Sequence, residues 1–375
     1  MKILLCSPTF QQITHGPAKF AQLLLRLEDL FPGNEVRILT EGIEEAIEGK
    51  VHKITLDYPR PVHALGKFLR MWPYYRAALK LRKAYPYDVL VFNDAILGML
   101  SGWLMPKEVK VVGMLNSDEY LDTRLSGFYW SRKWLIRWMH KPFEGLAAWS
   151  ADCTIACSEN LRKKVMAIYR TNSAKAVTMY QAVEIPEGPI QKREMGPGQP
   201  IQVLYVKSDY RVGGLQILIQ ALARLSPFSF ELIIIGPLLE WRAQIEKLYL
   251  PAANIQYTFL GAQRQEEVFR RMQSSDMLCI PSLREGLGVA NIEGLAYGIP
   301  VVSTNVGGIP EVLGNGAYGW LAAPGDPESL AGAIRDCIEN PDLRWEKSVA
   351  GRRFAEEKFG YRKMLERFIQ ILKET

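Results

Sequence analysis

Residues 277–304 read M-L-C-I-P-S-L-R-E-G-L-G-V-A-N-I-E-G-L-A-Y-G-I-P-V-V-S-T, a complete structural repeat in one stretch. Met277–Ile280 is a short apolar run ended by Pro281, the pattern of a buried strand. In the turn that follows, Gly286 and Gly288 permit unusual dihedrals and the close approach of a ligand. Val289, Ile292 and Ala296 then define an apolar stripe that predicts a helix from Val289 to Tyr297, stopped by Gly298 and Pro300. Val301–Thr304 opens another strand. Strand, turn, helix and strand in this order predict a parallel α/β sheet.

The same pattern recurs outward from this stretch. I-Q-V-L-Y-V at 201–206 predicts a strand, followed by the loop K-S-D-Y-R-V-G-G, a helix over Leu215–Leu225, and strands at Glu231–Ile235 and Ile255–Leu260. The amino-terminal half opens likewise. Lys2–Cys6 reads as a strand, T-F-Q-Q-I-T-H-G-P as a loop and Lys19–Leu30 as a helix. Further strands are expected at Val36–Leu39, Val89–Phe92, Val109–Leu115 and Thr154–Ala156. Between the halves, E-I-P-E-G-P-I-Q-K-R-E-M-G-P-G-Q-P is rich in proline and glycine and has no period, so it reads as a linker. The expected division is a domain over 1–184, a linker over 185–199, a domain over 200–358 and a closing helix over 359–375 that packs back on the first domain. The fold class is α/β, with two Rossmann-like doubly wound sheets facing a central cleft. Ligands bind at the carboxyl ends of the strands in such sheets.

Bulk properties agree with that division. The 375 residues are too many for one ordinary domain, and 48% hydrophobic content supplies a core for each of two. Only a short apolar run precedes Ser7 and Pro8, too little for a signal-peptide core. The longest apolar stretch, Ile96 to Met105, is about half the ~20 residues that a spanning helix needs. A cytoplasmic protein is expected. The five cysteines are scattered without a C-x-x-C motif, and Cys153 and Cys157 alternate onto one buried face. The histidines show no ligand spacing, so no metal site is expected.

The net charge of +6 is unevenly spread. Arg60, Lys67, Arg70, Arg76, Lys80, Arg82 and Lys83 crowd one segment, and W-S-R-K-W-L-I-R-W-M-H-K runs over residues 130–141. Two readings compete: helices packing their tryptophans on their own domain, or a surface at the inner face of an anionic membrane that serves a lipid-linked or otherwise anionic acceptor. Nucleic acid is not expected, since no nucleic-acid motif accompanies the charge.

Glu285 stands before the predicted helix and Glu293 in its second turn, at the edge of the apolar stripe. A carboxylate half-buried there is costly unless it accepts hydrogen bonds, and a ribose offers two adjacent hydroxyls. The first helical N–H groups, at Gly288, Val289 and Ala290, form with the helix dipole an anion site suited to a diphosphate. Glu285 would reach the group beyond the diphosphate. The plain alternative is a solvent-facing Glu293 and a capping Glu285. The glycines and the strand–turn–helix context favour the ligand.

P-S-L-R-E-G-L-G-V-A-N-I-E-G-L-A-Y-G-I-P-V-V-S-T-N-V-G-G-I-P-E resembles the nucleotide-sugar signature of family 4 glycosyltransferases, which have the GT-B fold and retain anomeric configuration. M-K-I-L-L-C-S-P-T-F with H-G-P resembles the family's opening strand and glycine loop. A-D-C-T-I-A-C-S-E-N-L resembles the last strand and helix of its first domain, and F-G-Y-R-K-M-L-E-R-F its closing helix. The resemblance implies that Glu293 binds the donor ribose and that the backbone at Gly288 and Val289 contacts the diphosphate. It also implies that Glu285 contacts the transferred sugar, that Gly16 lets the first domain approach the donor, and that Gly261 and Ala262 border the nucleobase. Gly286, Leu287, Ala290, Ser208 and Gly236 complete the candidate donor-binding set.

Two departures from the family pattern bear on activity. The arginine and lysine usually found after the first strand of the second domain are replaced by Ser208 and Gly213. Lys207 and Arg211, in the same loop, either substitute for them or are surface charges. Asn116 stands at or near a histidine that often meets the donor sugar; it can hydrogen-bond but cannot take a proton. Asp118 and Glu119 follow, with surface carboxylates the plainer reading. Glu285, Asn116, Lys207 and Arg211 are thus the candidate catalytic residues.

The expected function is a retaining glycosyltransferase using a UDP- or GDP-linked sugar and a carbohydrate or lipid-linked acceptor. No D-x-D occurs, so a metal-independent reaction with no cofactor is expected. The alternative is a nucleotide-sugar-binding protein or weakly active partner subunit on the same fold. A nicotinamide dehydrogenase is disfavoured because no G-x-G-x-x-G follows either opening strand.

Overall fold

A computed structural model of the chain describes residues 1–10, 16–41, 49–54, 56, 66–119, 121, 132–195, 198–248 and 254–375, with the backbone alone at 132–139. The chain forms two compact units. The first is Met1–Gln181 with Met364–Thr375, and the second is Ala182–Lys363.

The first unit begins β1 (Lys2–Cys6), α1 (Gly16–Leu24), α2 (Leu27–Leu30), β2 (Glu35–Thr40), β3 (Val51–Lys53) and α3 (Gly66–Arg82). It continues β4 (Val89–Phe92), α4 (Met99–Leu104), β5 (Lys110–Leu115), α5 (Arg132–Ser150), β6 (Cys153–Ala156), α6 (Glu159–Tyr169) and β7 (Ala176–Thr178). The strands make one parallel sheet in the order β3-β2-β1-β4-β5-β6-β7. Strands covered on both faces need unbroken apolar runs, and I-L-L-C and V-L-V-F are buried throughout.

The second unit holds β8 (Ile201–Val206), α7 (Leu215–Ala223), β9 (Phe230–Ile235), α8 (Arg242–Glu246), β10 (Ile255–Gly261) and α9 (Gln265–Ser274). β11 (Met277–Ile280), α10 (Val289–Ala296), β12 (Val301–Thr304), α11 (Ile309–Val312), β13 (Trp320–Ala322), α12 (Pro327–Glu339) and α13 (Pro341–Phe359) follow. Its sheet is also parallel, in the order β10-β9-β8-β11-β12-β13. The last helix, α14 (Tyr361–Glu374), carries the chain back into the first unit from Met364 onward. There Phe368 meets Phe20 edge-on, with ring centroids 5.5 Å apart.

Several sequence expectations need correction. The helix expected over Lys19–Leu30 is two helices, because the amides of Leu25 and Arg26 bond to carbonyls three residues back and tighten the turn between them. The described residues of the segment 185–199 form neither helix nor strand, yet the second unit holds them. The Arg352 guanidinium donates to the Pro186 carbonyl, and Arg344 Nη2 donates to the Arg193 carbonyl at 3.0 Å. All five cysteines are buried outside any disulfide, and burial pushes the Cys6 and Cys279 thiols up, away from nucleophilic use. Among the described residues, no helix is long and apolar enough to cross a membrane. Arg60, Trp130 and Ser131 lie outside the described residues, and the side chains of Trp134, Leu135 and Trp138 are not described.

Candidate active site

In the second sheet the strand order reverses between β8 and β11, the place where open α/β sheets bind ligands. Lys207 leaves β8 and Glu285 follows β11, and their side chains form an ion pair across that point. The two side chains are 23% and 17% exposed, so the pair is shielded more than a surface pair. Ser282 Oγ donates to the same carboxylate at 3.3 Å. The loop after β12 closes on Glu285 from the other side. A Cβ at Gly307, whose φ is +58°, would lie 1.8 Å from the Glu285 carbonyl oxygen, so only glycine fits there.

Gly288 adopts the left-handed conformation at the start of α10, with φ 92°. There the chain turns into the helix, whose first amides, at Val289 and Ala290, have no preceding helical carbonyl to bond to. Gly286 and Leu287 are buried beneath this turn. Glu293, expected half-buried at the edge of a stripe, is only 3% exposed. Gln265 Nε2, at the start of α9, donates to its carboxylate at 3.0 Å, which meets part of the cost of burial.

The loop after β8 separates the two candidate cations. Arg211 Nε donates to the Tyr210 hydroxyl at 3.1 Å, and its guanidinium lies over Tyr210 and Trp241, 5.2 Å from the latter's ring centroid. Of the two cations, Lys207 is the one that meets Glu285. Gly213 explains the exchange: a Cβ there would stand 2.0 Å from the Tyr205 hydroxyl and 2.7 Å from Lys207 Cγ. A longer residue at 213 and the Lys207 stem compete for one space. Ser208 is exposed, and its amide nitrogen would lie 2.9 Å from a Cβ at Gly236. The Gly236 amide donates to the Gly261 carbonyl at 2.8 Å, and Ala262 follows, exposed. Lys207, Ser208, Gly236, Gly261 and Ala262 therefore line the carboxyl ends of three adjacent strands.

The first sheet reverses between β1 and β4, and a second polar cluster sits there. Asn93 Nδ2, after β4, donates to Ser7 Oγ, after β1, at 3.0 Å. Asn116, after β5, donates through Nδ2 to the Asn93 carbonyl and accepts from Gln181 Nε2, both at 2.8 Å. Gly16 closes over this network; a Cβ on it would stand 2.0 Å from Gln181 Oε1. Asn116 and Gly16 thus belong to one cluster in the first unit, while the other candidate residues lie in the second. Asp118 is not the surface carboxylate expected. It is 3% exposed and accepts from Lys164 Nζ at 2.7 Å.

One titratable group had no signal in the sequence. Glu144 of α5 is buried and accepts from the Tyr169 hydroxyl at 2.6 Å. Burial pushes its pKa up to about 7; the Tyr169 hydrogen bond opposes the rise, and the nearby carboxylates of Asp94 and Glu119 add to it. Asn93, Gln181 and Gln265 were also unread, since no local motif marks them, and Ser7 and Gly307 stand inside the quoted motifs without a role assigned to either. Among the described residues, no three His, Cys, Asp or Glu side chains are grouped to hold a metal.

Comparison with known proteins matches both halves. The family described as Glycosyltransferase Family 4 matches residues 21–185, and Glycosyl transferases group 1 matches residues 189–354. An uncharacterized glycosyltransferase of Methanocaldococcus jannaschii is 32% identical over 172 residues, 43% of this chain and 48% of that one. The chain thus spans about half the length of that relative. The N-acetyl-alpha-D-glucosaminyl L-malate synthase of Bacillus anthracis is 26% identical over 90% of this chain and 89% of its own length. Among solved structures, sucrose-phosphate synthase from Thermosynechococcus elongatus superposes with a TM-score of 0.79 at 18% identity, covering 100% of this chain and 98% of that one. Anabaena HepE in complex with UDP-glucose superposes with a TM-score of 0.72 at 19% identity, covering 100% of both. The chain belongs to the glycosyltransferases of GT-B fold, with a family 4 first half and a group 1 second half.

Proposed function

We propose that the protein is a retaining glycosyltransferase that moves a sugar from a nucleoside diphosphate to an acceptor hydroxyl without a metal ion. The Lys207–Glu285 ion pair, placed at the reversal of the second sheet and before the start of α10, carries this reading. Glu293 would take the ribose hydroxyls in exchange for its bond to Gln265. The amides of Val289 and Ala290, with Lys207, would hold the diphosphate, and Glu285 the sugar. UDP-glucose in the HepE complex supports testing a uridine donor first. The acceptor, a carbohydrate or a lipid-linked glycan, would be bound by the first unit near Asn116.

In the reaction, the bond from the anomeric carbon to the diphosphate oxygen breaks. The acceptor oxygen bonds to that carbon from the same face. The acceptor proton passes to the departing diphosphate oxygen, so no covalent enzyme intermediate is needed. Lys207 and the α10 amides stabilise the charge that develops on the leaving group. Removal of one such preorganised group typically costs about 10²–10³ in rate.

The reading is tested by thermal unfolding with UDP, GDP, ADP, CMP and their sugars, using wild type beside Glu293→Ala. Ligand at 100 times its Kd adds about 2.7 kcal/mol, a shift of a few degrees. A shift with one base that the variant loses supports the ribose carboxylate, and turnover that persists in EDTA supports the metal-free reaction. No shift with any nucleotide overturns the donor site. Binding without transfer or donor hydrolysis leaves a nucleotide-sugar-binding protein.

A further inference from the structure

Apart from the half-buried Arg82, the cations of α3 and Lys83 just beyond it fall into two sets. Lys67 pairs with Asp94 at 2.5 Å and Arg70 with Glu41 at 3.4 Å. Arg76, Lys80 and Lys83 make no ion pair among the described residues, and all three are exposed. They alternate with Leu69, Trp72 and Leu79, which are 48%, 51% and 38% exposed. At the helical repeat the six positions fall within an arc of about 100°. Met71, Tyr74 and Ala78 occupy the opposite side and are buried.

Among the described residues, no carboxylate interrupts this face. Helix α3 contains neither aspartate nor glutamate, and the groove between it and the edge strand β3 adds His52 and Lys53. Scattered exposed leucines need no explanation, but a tryptophan and two leucines interleaved with unpaired cations form a patterned surface. A basic or neutral partner is repelled or left without counter-charge. The long lysine and arginine stems keep their charges level with a plane of phosphates while the shorter apolar side chains pass beneath it. Tryptophan favours that same boundary.

We propose that the first unit docks on an anionic lipid bilayer through this face of α3. Leu69, Trp72 and Leu79 enter the acyl boundary, and Arg76, Lys80 and Lys83 bind lipid phosphates. The inference does not depend on the transfer reaction.

Co-sedimentation with vesicles of phosphatidylcholine alone, or mixed equally with phosphatidylglycerol, tests it on the full-length protein. Wild type should partition onto the mixed vesicles and leave them as salt rises. The triple variant Arg76→Gln, Lys80→Gln, Lys83→Gln should lower partitioning on the order of a hundredfold. Trp72→Ser should weaken it while leaving the salt dependence in place. Both variants should keep the wild-type melting temperature, which separates lost docking from lost folding. Equal binding to the two vesicle types, or undiminished binding by the triple variant, would overturn the proposal. So would loss of binding on Trp103→Ser or Trp149→Ser with the α3 variants unaffected, since those exposed tryptophans lie on α4 and α5.

Discussion

Gly213 and Lys207 act as one device: the missing side chain at 213 makes room for the lysine stem. Lys207→Ala should lower kcat by about 10²–10³ in steady-state assays. Gly213→Ala should also lower it, and Tyr205→Phe, which removes the hydroxyl 2.0 Å from the added Cβ, should recover part of that loss. No recovery would mean that the contact with the Lys207 stem alone accounts for the effect of the glycine. Glu144 gives a pH prediction. Its carboxyl keeps a proton in the folded state up to about pH 7 that the unfolded chain has already released. Stability is therefore greatest below the ordinary carboxylate pKa and falls as pH rises through that window, by about 3 kcal/mol in all. In Glu144→Gln this slope should vanish from urea unfolding measured between pH 5 and 8, and the variant should be the more stable at pH 8. Glu285 and Glu293 were legible because glycines and a helix start stand beside them in sequence. Ser7 and Asn93 were not, because the sheet brings them together across 86 residues. Gln265 reaches Glu293 across 28 residues, again with no local sign.

Among the elements, α10 matters most, and its direction depends on one left-handed residue. Gly288→Ala places a Cβ 3.0 Å from Asn291 Nδ2 and 3.2 Å from Ile309 Cγ1, at a φ of 92°. That strain costs roughly 1–2 kcal/mol, so the melting temperature should fall by a few degrees. If the helix start holds the diphosphate, nucleotide affinity should fall as well. Asp326→Ala makes a milder comparison. Its carboxylate accepts from the Glu328 and Ser329 amides at the start of α12, and losing that cap should cost about 1 kcal/mol without touching donor affinity. The central strands were readable as apolar runs, in places to the residue. The edge strands β3, β7 and β13 were not, because three residues carry no period. V-H-K, A-V-T and W-L-A become strands only through pairing with β2, β6 and β12.

At the scale of the molecule, the chain leaves the first unit after Gln181 and rejoins it at Met364. The ends of the second unit are tied together: the Val183 amide donates to the Phe359 carbonyl at 3.0 Å. Residues 182–363 made alone should therefore fold and show the same nucleotide-induced thermal shift as the full chain, whereas truncation after Lys363 should unfold the first unit. Leu365, Phe368, Ile371 and Leu372 are each no more than 1% exposed. Removing several such side chains, at roughly 1.5–3 kcal/mol each, consumes most of a domain's margin. The final helix also bears on biosynthesis. Protein units usually complete their folding in the order in which they leave the ribosome. Here Phe20 waits for Phe368, so the half of the chain that is translated first is the last to be finished. The second unit matures while its older neighbour still exposes an uncovered apolar seam. During that interval the nascent first unit depends on whatever shields the seam until α14 emerges.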